Sequence, residues 1–228
     1  MVSSDIAWLV SRSFTDCYTG RDADSPAETK ETLARFTETA ESVAPSEAEG
    51  NPREITRDVT RGVVVAPTHV DALADAPVRV VSVAGFPTGR HHRLVKAAEA
   101  RLAVQSGASE VWIATDPAAR EYNHLLSDFA AFREAVPAPA QLGLVIGQVS
   151  RDVVTAARAA GFDRLVIAYP GPAAEAQNVA QRAAEEVAQA YGGLEVVFWA
   201  GALDDAIDTL SSEGAGVEAA VLPLTELL

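Results

Sequence analysis

The chain has 228 residues and carries 18 Lys+Arg against 32 Asp+Glu, a formal net charge of −14. That balance argues against nucleic acid, whose binding rests on dense basic residues that release counterions, and against anionic membrane surfaces for the same reason. With 48% hydrophobic residues the chain is globular rather than disordered, and it is long enough to bury one core as a single domain.

The N-terminus has no basic region followed by a long apolar run, so a signal peptide is not expected. No stretch reaches the roughly 18 apolar residues that a membrane span needs. Ile6–Ser11 reads as a first strand. Cys17 is the one cysteine. It has no partner for an internal disulfide or a cysteine metal cluster, which fits a reducing cytoplasm. Glu28–Ser42 reads as the helix that follows. Residues 42–61 hold Pro45, Gly50 and Pro52 among many charges. They read as a poorly ordered surface loop.

From Gly62 a rhythm sets in. Short β-branched runs occur at Val63–Ala66, Val78–Ala84, Glu110–Thr115, Leu142–Gly147, Arg164–Tyr169, Leu194–Ala200 and Val217–Leu222. Their continuous apolar character suits strands buried on both faces. Longer segments of helical period separate them. Arg93–Gln105 carries Leu94, Ala98 and Leu102 at four-residue steps. Arg120–Ala135 carries Leu125, Phe129 and Phe132, and Ala174–Tyr191 carries Val179, Ala183, Val187 and Tyr191. Each series is expected to be the buried stripe of its helix. Ser150 is placed to cap the helix that Gly161 ends.

Eight strands alternating with helices predict an α/β fold, a parallel (β/α)₈ TIM barrel as one domain over residues 1–228. An open doubly wound sheet is the rival. Both put chemistry at the C-terminal ends of the strands.

One stretch is specific. Val78-Arg-Val-Val-Ser-Val-Ala-Gly-Phe-Pro-Thr-Gly89 is followed by Lys96-Ala-Ala-Glu99 and Gly107-Ala-Ser-Glu-Val-Trp112. This resembles the deoxyribose-phosphate aldolase family, with its Val-x-Gly-Phe-Pro-x-Gly strand and turn, its Lys-x-x-Glu step and its Gly-Ala-Asp-Glu strand. Gly62–Pro67, Ala160–Tyr169 and Leu203–Ala206 fall in the same order. The resemblance runs from about Gly62 onward. It implies a barrel that makes or breaks a carbon–carbon bond in 2-deoxyribose 5-phosphate. A lysine of the sixth strand forms a Schiff base, a second lysine of the seventh strand lowers its pKa, and an aspartate of the fourth moves protons.

The chain departs from that pattern. Of its 18 basic residues 16 are Arg; the two lysines are Lys30 and Lys96. A Schiff base needs an amine, and a guanidinium stays protonated. Gapless placement puts the family's lysine positions on Val166 and Val197 and its aspartate on Trp112. Lys30 belongs to the first helix. Lys96 sits inside a later helix, where the family carries a surface lysine. The scarcity of lysine fits a codon bias; its placement argues against Schiff-base chemistry. The family's Gly-Gly phosphate loop is shortened to Ala200-Gly201, and its Ser-Ser is replaced around Pro223 and Leu224.

Other residues are expected at the rim. His69, Arg90, His91, Asp116, Gln148, Tyr169 and Trp199 are candidates for a reworked pocket. The same mouth could equally be filled by Trp112, Tyr169 and Trp199. Gly171 and Gly201 are candidates for anion binding by backbone amides. His69, His91, His92 and Asp116 are N/O donors that a zinc ion accepts. Adjacent histidines before a helix read more simply as a solvated turn, so neither a metal nor another cofactor is expected. A small-molecule ligand is expected and the oligomeric state stays open, a homodimer included. Two functions follow. One is a divergent family member without Schiff-base activity that binds a small metabolite, phosphorylated or not, or a partner. The alternative is a working aldolase or lyase that uses Asp116, Tyr169 or the histidines.

Overall fold

The computed structural model describes residues 6–10, 25–41, 62–168, 173–190, 192–211 and 216–223. The segment read as a loop, 42–61, lies outside them. The strands are β1 (Ile6–Val10), β2 (Gly62–Val65), β3 (Arg79–Ala84), β4 (Glu110–Ala114), β5 (Gln141–Ile146), β6 (Arg164–Ile167), β7 (Glu195–Trp199) and β8 (Ala219–Pro223). The α-helices are α1 (Pro26–Glu41), α2 (Arg93–Gln105), α3 (Tyr122–Ala135), α4 (Arg151–Ala159), α5 (Ala173–Gln189) and α6 (Leu203–Ser211). All neighbouring strands pair in parallel, and β1 pairs with both β2 and β8. The sheet therefore closes into a barrel, which decides against the open-sheet rival. Between β2 and β3 the chain makes two short 3₁₀ turns, Pro67–His69 and Asp71–Leu73, in place of an α-helix.

The helix faces need one correction. In α3 the stripe Leu125, Phe129 and Phe132 is buried as expected, and in α5 Ala183 and Val187 are; Tyr191 lies outside the described residues. In α2 the expected stripe faces water: Leu94 is 62% and Leu102 59% exposed. The buried face is Lys96, Ala100 and Ala103. Two alanines let the helix approach the strands closely, and the one polar member of that face finds carbonyl partners, described below. Sequence spacing marks a stripe but does not say which of two alanine-rich stripes lies inward.

The barrel's interior is filled in tiers, as alternate residues of each strand point inward. At the bottom stand the first residues of five successive strands: Arg79, Glu110, Gln141, Arg164 and Glu195. They bind one another. Arg164 meets Glu110 at 2.6 Å and Glu195 at 2.7 Å, and donates to Gln141 at 3.1 Å. Arg79 donates to the same Gln141 oxygen at 2.6 Å. Glu110 and Arg164 are buried. Loss of hydration pushes the Glu110 carboxyl above its ordinary value, and Arg164 beside it pulls the other way.

Above that ring the interior is apolar: Val64, Val81, Val83, Trp112, Ala114, Val145, Val166, Val197, Ala219 and Val221 form one cluster. Trp112 is its largest member and has no solvent exposure. Its indole donates to Glu110 at 2.5 Å. Gly143 faces it on the next strand, and a methyl group there would come within 2.9 Å of Trp112 Nε1. The absent side chain makes the room the indole fills.

Two substitutions test this filling. Gly143→Ala crowds the indole and should cost about 1–3 kcal/mol in urea unfolding. Arg164→Met strands a buried carboxylate and should cost about 3–5 kcal/mol at neutral pH. In that variant Glu110 loses the charge that lowers its pKa, so the folded state holds the proton still more tightly. The deficit should therefore be largest at and above neutrality and shrink as the pH falls and Glu110 protonates. A deficit independent of pH would contradict the assignment.

Candidate functional site

The predicted rim residues that the structure describes sit at the C-terminal ends of the strands but in separate places. His69 ends the first 3₁₀ turn after β2 and is buried. Arg90 and His91 follow the β3 turn and are exposed. His92 caps α2, its Nδ1 accepting the Leu94 amide at 3.2 Å. Asp116 follows β4; it pairs with Arg90 at 3.5 Å and accepts the Ala118 amide at 2.9 Å. Gln148 follows β5 and accepts a bond from Arg120 at 2.9 Å. Trp199 ends β7 and closes the interior from above. It stacks on Phe86 at 5.6 Å and meets Trp112 edge-on at 6.1 Å. Gly201 is exposed just ahead of α6, and among the described residues none stands within 4 Å of where its side chain would be. Tyr169 and Gly171 lie outside the described residues. Arg90, His91 and Asp116 share one cleft; Gln148 lines the next; Trp199 belongs to the barrel axis.

Lys96 is the residue that the sequence reading placed on the surface and the structure places inside. It is 4% exposed. From α2 it passes beneath Gly85, where any added Cβ would collide with its side chain and where φ is +70°. Its Nζ donates to the carbonyls of Gly89 at 2.9 Å and Ala114 at 3.1 Å. It also lies 5.1 Å from the centre of the Phe132 ring. One turn on, the Glu99 carboxylate accepts the Gly85 amide at 2.7 Å. The Lys96–Glu99 step thus holds the Gly-Phe-Pro-Thr-Gly turn at both ends and ties it to β4. That turn in turn positions Phe86 under Trp199. Burial lowers the Lys96 pKa, and the nearby Asp128 and Asp116 charges raise it back in part.

A cleft of about 310 Å³ opens outside the barrel wall above Lys96. Arg90, Arg93, Lys96, Asp116, Asp128 and Phe132 are among the residues that line it. Its charges are mutually matched: Arg90 with Asp116, and Arg93 with Asp128 at 3.4 Å. The Lys96 amine is committed to two carbonyls and to the ring, and the sheet stands between it and the barrel axis. What signalled Lys96 in the sequence was its register with Ala100 and Ala103, four and seven residues on.

No protein-family model matches the chain. Individual proteins do. A deoxyribose-phosphate aldolase of Mycolicibacterium paratuberculosis is 37% identical over 171 residues, 68% of this chain and 74% of that protein. One of Corynebacterium glutamicum is 53% identical over 75 residues, 32% of this chain. The match spans only about a third of that relative's length, 34%. Among solved structures, the tetrameric deoxyribose phosphate aldolase of Aeropyrum pernix superposes with a TM-score of 0.68 at 16% identity. That superposition covers 96% of this chain and 85% of that one. At such identity it shows a shared barrel fold.

The clamp can be tested directly. Lys96→Met keeps the length of the side chain but leaves two buried carbonyls without their donor. It should cost about 1–3 kcal/mol in urea unfolding. Amide exchange at Gly89, whose N–H bonds the Gly85 carbonyl at 2.9 Å, should accelerate as the turn loosens. Unchanged stability and exchange would show that Lys96 holds nothing.

Proposed function

We infer the function from one premise: the chain belongs to the deoxyribose-phosphate aldolase family. Within that family we read it as a divergent barrel that does not run Schiff-base chemistry and acts by binding a small phosphorylated metabolite at its rim. One observation supports the reading. Val166, Val197 and Trp112, to which gapless reading of the sequence assigns the family's two lysines and aspartate, pack together in the apolar interior with no solvent exposure. Val166 pairs with Val145 on one side and Val197 on the other, so neither neighbouring strand offers an amine at that level.

The remaining amines support the same reading. Lys30 is exposed on α1, outside the barrel. Lys96 would have to give up two carbonyl bonds and pass through the sheet to meet a carbonyl compound on the axis. A nucleophile must reach bonding distance of its target, and neither lysine does so from its observed position. The second reading, an aldolase or lyase working without lysine, has the Arg90–Asp116 pair in its favour. That pair stands in a cleft large enough for a small substrate.

Borohydride reduction separates the readings. Incubation with 2-deoxyribose 5-phosphate and sodium borohydride should leave the intact mass unchanged. A stoichiometric adduct would overturn the principal reading, and the labelled peptide would identify the amine. Retro-aldol turnover that disappears in Asp116→Ala, without any adduct, would favour the second reading instead.

A further inference from the structure

The outer cleft at the β5 rim differs from the one above Lys96 in its charge. It has a volume of about 350 Å³, and Arg120, Gln148, Val149, Val179 and Arg182 are the described residues that line it. The chain as a whole is strongly acidic, and its rim arginines Arg90 and Arg93 each have a carboxylate partner. Arg120 and Arg182 do not: among the described residues no carboxylate lies within ion-pair distance of either. Two guanidinium groups lining one concavity give it a positive local field, which favours an anion there.

We propose that this cleft binds a small organic phosphate, the phosphoryl group lying between the guanidinium groups of Arg120 and Arg182 and the side-chain amide of Gln148. The inference rests on the reading of the protein as a metabolite-binding barrel and assigns the ligand's phosphoryl group a place.

The local structure supplies the donors. Gln148 Oε1 accepts from Arg120 at 2.9 Å. That bond fixes the guanidinium's orientation and directs the Gln148 Nε2 donors elsewhere. Arg182 lies midway along α5, which starts at the rim because it follows β6. Side chains lean toward the start of their helix, so Arg182 reaches up over Val179, three residues earlier, toward the β5–α4 turn. Arginine is suited to this task, since its planar fork matches phosphate oxygens in pairs.

The size and floor of the cleft choose between a bare ion and an organic phosphate. Val149 and Val179 are partly buried against the core and give an apolar base. The volume falls in the range of small-molecule sites, about 300–1,000 Å³. A lone tetrahedral anion would leave that base uncovered; a short carbon body would cover it. The site is separate from Gly201 and α6, where the family resemblance implies a reduced phosphate loop.

Calorimetric titration of the full chain with inorganic phosphate and with ethyl phosphate tests the proposal. Both should bind saturably, ethyl phosphate the more tightly, and the melting temperature should climb with ligand concentration. The double variant Arg120→Gln/Arg182→Gln should weaken both by roughly tenfold or more. It should melt like the parent without phosphate, since both side chains are exposed. Gly201→Asp, which sets a negative charge at the family's corner, should leave both affinities unchanged. The proposal is overturned if no saturable binding occurs, if the arginine variant binds as the parent does, or if Gly201→Asp alone abolishes binding. Borohydride trapping is independent of these outcomes. An adduct together with arginine-dependent phosphate binding would sink the non-catalytic reading and keep the site; no adduct and no phosphate binding would do the reverse.

Discussion

An eight-stranded barrel encloses a channel just wide enough for side chains to fill, and here the filling turns on Trp112. The indole needs space, and Gly143 opposite supplies it by having no side chain. It needs an acceptor for its N–H, and Glu110 supplies one from the tier below. A buried carboxylate in turn needs a cation, and Arg164 supplies that at 2.6 Å. Arg164 then draws in Glu195 and Gln141. One large side chain on the axis thus sets a chain of requirements that runs to the barrel floor. Each member is stable only in the company of the next, because a buried polar group without a partner costs several times what a satisfied bond contributes.

The same filling governs where polar groups stand. With the middle of the barrel occupied by Trp112, Val166 and Val197 and the top closed by Trp199 on Phe86, polar groups at this end are pushed outward. They collect in clefts between the rim and the helices. There Lys96 and Glu99 do for the Gly85–Gly89 turn what Arg164 does for the floor, joining elements through buried, charge-assisted bonds. The turn they hold delivers Phe86 to Trp199. The wall clamp and the axial plug are therefore mechanically continuous, although Lys96 itself never approaches the axis.

The eight strands were legible in the sequence because strands buried on both faces read as unbroken apolar runs, and the glycines and Ser150 mark the helix ends. Closure was expected from the count of eight alternating strands and the family resemblance, but alternation alone also fits an open sheet, and the pairing of β1 with β8 distinguishes the two. The inward face of α2 was misread because both of its stripes are rich in alanine, and the exposed one carries the leucines. Lys96 was taken for a surface residue by the family resemblance; the carbonyls that satisfy it come from β4 and from the β3 turn, which the local sequence does not bring together. The polar residues that open β3 to β7 give no local sign of their mutual pairing, which depends on strand register. Arg120 and Arg182, more than sixty residues apart, gave no local signal at all.

The preference for arginine over lysine ties these parts together. A guanidinium holds its proton under any condition in which the protein is folded, so it can position an anion but not attack a carbonyl. Arg164, deep in the floor, spends its fork on Glu110, Glu195 and Gln141. At the outer cleft a permanently charged fork suits a phosphoryl group equally well. In this barrel the axis carries valines and the rim carries arginines. Its remaining buried amine, held by two carbonyls, serves the architecture.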